Sequence, residues 1–177
     1  MNDELNRARF EELMLPLMTD AFNLARWLMR NDEDAEDVVQ DAYLKAFRFF
    51  GSFRGHAEVR PWLLQIVRNT CYSALAARGS KDESSSQDGR IEEIEDTAPG
   101  PHARLESKAT VETVRQAIAA LPADFREVVV LRELEGLSYK EIAHVAGVPI
   151  GTVMSRLSRA RDQLHAVLKG LRMDDDV

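Results

Sequence analysis

The chain has 177 residues, of which 45% are hydrophobic and 30% charged, with a formal net charge of −7. This composition excludes wholesale disorder, and no apolar run approaches the roughly 20 residues that a membrane helix needs. With one cysteine (Cys71), the chain can form neither an intrachain disulfide nor a cysteine-based zinc site, and its four histidines are scattered. The mixed-charge N-terminus lacks the apolar segment of a signal peptide. We therefore expect a cytoplasmic protein that does not insert into a membrane. We expect neither a cofactor nor a small-molecule substrate.

The acidic charge is concentrated in the middle of the chain. Residues 79–107 carry 3 Lys and Arg against 8 Asp and Glu, whereas residues 1–78 carry 10 against 12 and residues 108–177 carry 10 against 10. The flanks contain two basic segments, 48–78 and 151–172, each with 5 basic residues against 1 acidic residue. Two separate basic segments predict two separate contacts with nucleic acid.

Residues 1–78 are predicted to form a first helical domain. Apolar residues recur at steps of three and four in residues 34–48, as one buried helical face requires. Another helix is predicted to begin at Pro61, since proline is tolerated in a first helical turn. We assign Trp62 and Cys71 of this second helix to the core. The buried stripe of the earlier helix consists of Ala35, Val38, Val39, Ala42, Ala46 and Phe47.

The opposite face of the earlier helix is acidic. Six of the ten residues from 32 to 41 are Asp or Glu. Such a face fits either simple solvation or contact with a basic partner protein. Aromatic residues and arginines follow closely, a combination that packs a core or stacks unpaired bases. The exposed positions of the acidic face are Asp37, Gln40, Asp41 and Leu44.

Residues 79–107 are predicted to be a flexible acidic linker. The segment is rich in Ser, Gly, Pro and acidic residues, and its few large apolar residues cannot bury a core. It separates the first domain from a second one over residues 108–172, and residues 173–177 form an acidic tail. The predicted fold is therefore all-α, with two small helical domains on a tether.

The second domain contains the pattern of a helix-turn-helix. Val111, Val114, Ile118 and Leu121 are predicted to line one helix, and Phe125, Val128, Val129 and Leu134 the next. Ser138 and Glu141 then have the spacing of a capping box, which predicts a helix from Tyr139. Gly147 is placed to end that helix in a left-handed conformation. A further helix near Gly151 completes the motif.

The last of these helices has a polar and basic exposed face. Arginine can form bidentate hydrogen bonds with guanine, while serine and threonine contact base edges or phosphates. A solvated helix with ordinary charges is the alternative. The coincidence of capping box, glycine turn and basic face favours DNA binding. The residues of this face are Thr152, Ser155, Arg156 and Arg159.

Two motif blocks in this order resemble bacterial sigma factors of the extracytoplasmic-function (ECF) group. The first block is "DAEDVVQDAYLKAFRFFGSFRG" with "PWLLQIVRNT", and the second is "LPADFREVVVLRELEGLSYKEIAHVAGVPIGTVMSRLSRAR". The resemblance covers residues ~10–78 and ~108–168, almost everything outside the linker and the tails. It implies an alternative sigma factor that binds core RNA polymerase and directs it to specific promoters.

The resemblance also implies roles for particular residues. Asp37, Gln40, Asp41 and Leu44 would dock on the clamp helices of the largest polymerase subunit. Arg54, Asn69 and Tyr72 would recognise the minus-ten promoter element, with a base held outside the melted duplex. Thr152, Ser155, Arg156 and Arg159 would recognise the minus-thirty-five element. An anti-sigma factor is the expected regulatory partner.

Two alternatives remain open from the sequence. A sigma-like decoy would sequester an anti-sigma factor without binding promoters, although the intact basic face of the second domain disfavours it. A plain helix-turn-helix regulator would leave the acidic helix and the first domain unexplained. An enzyme is not expected, because the chain shows no nucleophile–base set, metal cluster or phosphate-binding glycine loop.

Overall fold

The computed structural model describes residues 1–55, 58–79 and 103–174, with side chains from 110 to 171 in the last range. Throughout the described part the regular structure is helical, as the sequence predicts. Among these residues, no helix is both long and apolar enough to span a bilayer. Most of the predicted linker, residues 80–102, lies outside the described residues.

Within residues 1–55 and 58–79, the first domain consists of four helices. They are α1 (Asn2–Met14), α2 (Met18–Met29), α3 (Asp32–Phe49) and α4 (Val59–Gly79), with short 3₁₀ turns at Leu15–Leu17 and Phe50–Ser52. Helices α2, α3 and α4 pack against one another around Leu24, Leu63 and Leu64, which are fully buried. Cys71 is also fully buried in α4, as predicted.

Local sequence explains where α3 begins and how α1 is attached. Asn31 caps α3, because its side-chain oxygen accepts a hydrogen bond from the Asp34 N–H at 3.0 Å. Three acidic residues in the first turn complement the positive end of the helix dipole. The ring of Phe10 from α1 packs edge-on against Phe47 and Phe50.

The second domain also contains four helices. They are α5 (Ala103–Ala119), α6 (Ala123–Val129), α7 (Tyr139–Ala146) and α8 (Ile150–Asp174), with a π-helical turn at Val130–Leu134 directly after α6. Helix α5 begins inside the segment predicted as linker, and α8 extends into the predicted acidic tail. Residues 175–177 of that tail lie outside the described residues.

The helix-turn-helix is confirmed in detail. The Glu141 N–H donates to Ser138 Oγ at 3.1 Å, and the Ser138 N–H donates to Glu141 Oε1 at 3.2 Å, which completes the capping box. Gly147 then ends α7 with φ 68° and ψ 35°. Its N–H donates to the Ala143 carbonyl at 3.0 Å, so α8 begins only three residues later.

Two residues predicted to face the core, Leu134 and Phe47, are exposed instead, as is Val111 of the predicted apolar series in α5. Leu134 is 50% exposed because the π-helical turn displaces it from the buried side occupied by Leu131, and Leu137 takes the buried position further along. Val111 is 47% exposed, because the buried part of α5 lies at Ala117 and Ile118, two turns later. Phe47 is 47% exposed at the edge of the aromatic cluster around Phe10.

The two domains lie in direct contact. The sequence predicted only two domains joined by a flexible linker and gave no indication of this contact. Helix α4 packs on α7, and α2 packs on α6. Buried residues of both domains form one continuous apolar cluster, from Leu64 and Val67 in α4 to Ile142 and Val145 in α7.

Candidate nucleic-acid and polymerase interfaces

The predicted DNA-contacting face of α8 is open to solvent along part of its length. Ser155 and Arg159 are exposed, whereas Thr152 and Arg156 are half-buried. Ser155 Oγ donates to the Thr152 carbonyl at 3.1 Å, which fixes the hydroxyl against the helix. The fold thus brings all four predicted residues to consecutive turns of one helix, whose buried side is formed by Val153, Leu157 and Ala160.

Three of the arginines of α8, Arg156, Arg159 and Arg161, have different surroundings. The Arg156 guanidinium lies 3.8 Å from the Asp124 carboxylate of α6. Arg161 donates to Glu133 at 2.7 Å, and its hydrogen bonds to Glu133 and Tyr139 raise the pKa of Arg161. Arg159 makes no ion pair within the part of the chain that the structure describes. Arg159 is therefore the cation on this face that is most available to an outside anion.

The predicted polymerase-docking residues share one exposed strip of α3. Asp37, Gln40, Asp41 and Leu44 are all exposed, and Leu44 is 66% exposed. Asp41 forms an ion pair with Lys45 of the next turn at 3.3 Å. The strip is an acidic surface with one large apolar side chain, which suits docking on a basic and partly apolar partner.

The predicted minus-ten residues occupy two places in the first domain. Arg54 is exposed in the irregular segment after the 3₁₀ turn Phe50–Ser52. Asn69 and Tyr72 lie one turn apart on α4, where Asn69 is exposed and Tyr72 is half-buried. Trp62, predicted as a core residue, is half-buried with its ring 4.8 Å from that of Phe53.

The second domain reaches the α4 face that carries Tyr72. Glu127 of α6 is 0% exposed, and its two carboxylate oxygens accept hydrogen bonds from Arg68 Nε at 2.6 Å and from the Tyr72 hydroxyl at 3.2 Å. The Arg68 guanidinium lies 4.2 Å from the centre of the Tyr72 ring, and its Nη1 donates to Asn69 Oδ1 at 3.3 Å. Predicted minus-ten residues are therefore part of an interface between the domains.

The charges of this interface shift the ionisation of its members. Burial and the neighbouring Glu127 carboxylate raise the pKa of Tyr72 to about 12. Desolvation lowers the pKa of Arg68, but the hydrogen bond and charge of Glu127 outweigh it, so that the net shift is upward. The Arg68 guanidinium is therefore held in its charged form.

A second charged contact joins the domains at the start of α4. Arg60 donates from Nε to Asp20 at 2.9 Å, and from Nη2 to the backbone carbonyl and carboxylate of Glu135 at 2.6 and 3.0 Å. The Glu135 side chain is only 6% exposed. Burial and the nearby Asp20 charge raise the pKa of Glu135, against the opposing effect of Arg60.

A third contact comes from the turn between α2 and α3. Arg30 adopts φ 61°, and it is the only non-glycine residue with positive φ in the described ranges. Its Nη2 donates to the Ala119 carbonyl at the end of α5 at 2.9 Å. The same carbonyl accepts a hydrogen bond from the buried Arg126 at 3.1 Å.

Sequence reasoning missed these contacts between the domains. Arg60 and Arg68 were counted in the basic segment, but nothing paired them with acids more than fifty residues away. One local signal was present, since Glu127 interrupts the apolar stretch "FREVVVL" and a buried carboxylate requires a cationic or hydrogen-bonding partner.

Comparisons with known proteins match this architecture domain by domain. The model of Sigma-70 region 2 matches residues 13–81, and that of Sigma-70 region 4 matches residues 112–164. The RNA polymerase sigma-H factor of Pseudomonas aeruginosa is 35% identical over 173 residues, which cover 94% of this chain and 89% of that protein. The ECF RNA polymerase sigma-E factor of Escherichia coli K12 is 39% identical over 141 residues, which cover 74% of this chain and 72% of that protein.

Solved structures show the same likeness. The sigma factor RpoE of Bartonella quintana, solved in complex with the anti-sigma factor NepR, is 32% identical with a TM-score of 0.72, and the match covers 91% of this chain and 97% of RpoE. CnrH, solved in complex with the cytosolic domain of CnrY, is 26% identical with a TM-score of 0.63, and the match covers 95% and 92% of the two chains. With both sigma-70 regions in order and relatives matched over most of their length, this chain belongs to the sigma-70 family of RNA polymerase sigma factors, in its extracytoplasmic-function group.

Proposed function

We propose that this sigma factor works in the cytoplasm through three surfaces. The acidic strip of α3 docks on the clamp helices of core RNA polymerase, α4 with the segment before it recognises the minus-ten element, and α8 recognises the minus-thirty-five element. As a sigma factor, the chain is a transcription initiation factor and not an enzyme. The observation that carries the proposal is the α8 face, where a capped helix and a left-handed glycine turn present Ser155 and Arg159 to solvent.

The α8 surface has the shape and chemistry of a major-groove reader. The second helix of a helix-turn-helix enters the major groove with its N-terminal residues at the base edges. Thr152 and Ser155 occupy the first two turns of α8, and Arg159 follows one turn later. Arg159 is therefore the residue that we expect to contact a guanine, with the two hydroxyl side chains on adjacent bases or phosphates.

We also infer an anti-sigma factor as the regulatory partner. The RpoE and CnrH structures similar to this chain are complexes, one with the anti-sigma factor NepR and the other with the cytosolic domain of CnrY. This chain matches both proteins over more than nine tenths of their length. An inhibitor that co-purifies with the protein should therefore be removed before activity is measured.

Transcription in vitro tests the function as a whole. Purified protein is combined with bacterial core polymerase and a library of fragments from the source genome. Transcripts that start at discrete sites only with this protein would establish promoter selection and define both promoter elements. Core binding without initiation would instead favour a decoy for an anti-sigma factor. Absence of both would favour a plain helix-turn-helix regulator.

Two matched pairs of variants test the surfaces. Arg159→Ala should lower initiation by about tenfold or more, as expected for loss of a base-specific arginine contact. Lys169→Ala removes an exposed cation from the same helix outside the predicted face and should change initiation little. Leu44→Ala should weaken binding to core polymerase, whereas Leu5→Ala removes a leucine of nearly equal exposure, 68% against 66%, away from the acidic strip.

A further inference from the structure

The first turns of α8 carry exposed apolar side chains beside the polar and basic residues. Met154 is 52% exposed, and Ile150, one turn earlier, is 44% exposed. Residues four positions apart lie on the same side of a helix. The two side chains therefore form an apolar strip at the N-terminal end of α8, the end that contacts base edges when such a helix enters the major groove.

The neighbours of Met154 on this surface are small. Gly151 lies one turn before Met154 and Ser158 one turn after it, and both are exposed. A Cβ atom added at Gly151 would meet nothing within 4 Å, so the space on that side of Met154 is open. The Met154 side chain is therefore accessible to the floor of a DNA groove.

The exposed side of α8 extends beyond the four residues predicted to contact DNA. Thr152 and Arg156 are half-buried at one edge of this side. Met154 lies at the other edge, because each residue turns a helix by about 100°. Ser155, between the two edges, is exposed. A groove that receives Ser155 therefore also receives Met154. The buried side opposite consists of Val153, Leu157 and Ala160.

An apolar side chain has one kind of apolar partner among the base edges of the major groove. These edges present hydrogen-bond donors and acceptors, and thymine adds its 5-methyl group. Contact between this methyl group and an apolar side chain removes both from water, which is favourable. Methionine is unbranched and flexible, so its side chain can adapt to the position of the methyl group.

We propose that Met154 is a specificity-determining residue that recognises a thymine of the minus-thirty-five element through its 5-methyl group. Arg159 lies five residues further along α8, or about 7.5 Å along the helix axis. Base pairs are about 3.4 Å apart, so the thymine lies within about two or three base pairs of the guanine assigned to Arg159. The inference rests on the proposed role of α8, and it adds a base that charge and hydrogen bonding do not select.

Promoter templates that differ by one methyl group test the contact. In a promoter mapped with the wild-type holoenzyme, deoxyuridine replaces each thymine of the minus-thirty-five element in turn. The replacement removes the 5-methyl group and keeps the base pair. In competition, the wild-type holoenzyme should prefer thymine at one position by about fourfold, as expected for burial of one methyl group.

Variants of Met154 assign this preference to its side chain. Met154→Ala holoenzyme should use the thymine and deoxyuridine templates equally, whereas Met154→Leu keeps an apolar side chain and should keep most of the preference. Equal use of both bases by the wild type at every position would overturn the proposal. A full preference in Met154→Ala would overturn it as well.

A methylated cytosine separates the methyl group from the rest of the base pair. Cytosine replaces the recognised thymine, and methylation at its C5 atom then returns a methyl group to the same place in the groove. This methylation should raise initiation by about fourfold with the wild type and should have no effect with Met154→Ala. An equal gain in both would show that another residue contacts the methyl group, and the assignment to Met154 would fail.

Val167→Ala is the matched control. It removes a 50% exposed apolar side chain from the same helix, about 20 Å further along the axis. This variant should match the wild type on every pair of templates. Loss of the methyl preference in Val167→Ala would show that the preference does not come from a direct contact of Met154.

Arg159→Ala on the same templates separates this inference from the proposed function. If Arg159→Ala lowers initiation but the wild type does not distinguish thymine from deoxyuridine, the role of α8 stands and the assignment of Met154 fails. If Arg159→Ala leaves initiation unchanged while the methyl preference depends on Met154, the thymine contact stands and the guanine contact fails. If neither residue affects initiation, α8 does not recognise the promoter and both proposals fail.

Discussion

Two glycines four residues apart in the helix-turn-helix should respond to alanine in opposite directions. Gly147 has φ 68° and Gly151 lies in the first turn of α8 without a positive φ. A Cβ atom added at either position would meet nothing within 4 Å. Steric contact is therefore absent at both sites, and only the backbone conformation distinguishes them.

The expected sizes follow from backbone energetics. A left-handed conformation costs an L-residue about 1–2 kcal/mol, while replacing glycine lowers the entropy of the unfolded chain by an amount worth about 0.4–1 kcal/mol. The net effect of Gly147→Ala is thus a loss of about 1 kcal/mol in the free energy of unfolding. Gly151→Ala gains about 0.5 kcal/mol, because the helix favours alanine.

Urea unfolding of both variants measures the difference. A change in the urea midpoint at constant slope reports a change in the free energy of unfolding. In a thermal melt of a chain of this size, 1 kcal/mol corresponds to a shift of about 2–4 °C in the melting temperature. Gly147→Asn should lie between wild type and Gly147→Ala, since asparagine tolerates the left-handed region. Equal or higher stability of Gly147→Ala would refute the reasoning, as would effects of the same sign at both glycines.

Three other expectations concern groups in the first domain. Cys71 is fully buried and its pKa is raised by burial to about 12, so a disulfide reagent should modify it much more slowly in native than in urea-unfolded protein, and fast native labelling would contradict the structure. Tyr43→Phe removes the hydroxyl that donates to the Met14 carbonyl at 2.7 Å and should lower the free energy of unfolding by about 1 kcal/mol in a urea titration, whereas an unchanged value would show that this hydrogen bond contributes nothing. The pKa of Asp34 is lowered chiefly by its hydrogen bond to Arg78, so the stabilisation is present above the ordinary carboxyl pKa and disappears as the pH falls through the lowered value in the folded state. Asp34→Asn should therefore be less stable than wild type at neutral pH by about 0.5–1 kcal/mol and equally stable in strong acid, and a difference that persists in acid would exclude the ion pair as its cause.

Features encoded by neighbouring residues were predictable from the sequence. The capping box of Ser138 and Glu141 and the left-handed Gly147 each depend on a few consecutive residues, and the structure confirms them. The buried stripe of α3 also followed from its spacing, apart from Phe47 at its end. Helical periodicity determines which side of a helix is apolar, and that information is local.

Features that depend on distant parts of the chain were not predictable in this way. The pairing of Arg68 with Glu127 joins residues 59 positions apart, and neither residue alone indicates its partner. The basic segment was interpreted by its net charge as a nucleic-acid contact, but charge counting does not show which arginines are already paired. The direct contact of the two domains has the same origin, because an apolar stripe does not specify which surface covers it.

The π-helical turn at Val130–Leu134 has a consequence for how the domain contact relates to the helix-turn-helix. The N–H of Glu135, the residue after this turn, donates to the Val130 carbonyl five residues earlier. The turn therefore holds one more residue than a turn of an α-helix. Deleting one residue here would restore α-helical spacing and rotate Glu135 away from Arg60, while the capping box that starts α7 would remain. A single-codon change would thus alter the contact between the two domains and leave the helix-turn-helix in place, so that these two features can diverge independently in evolution.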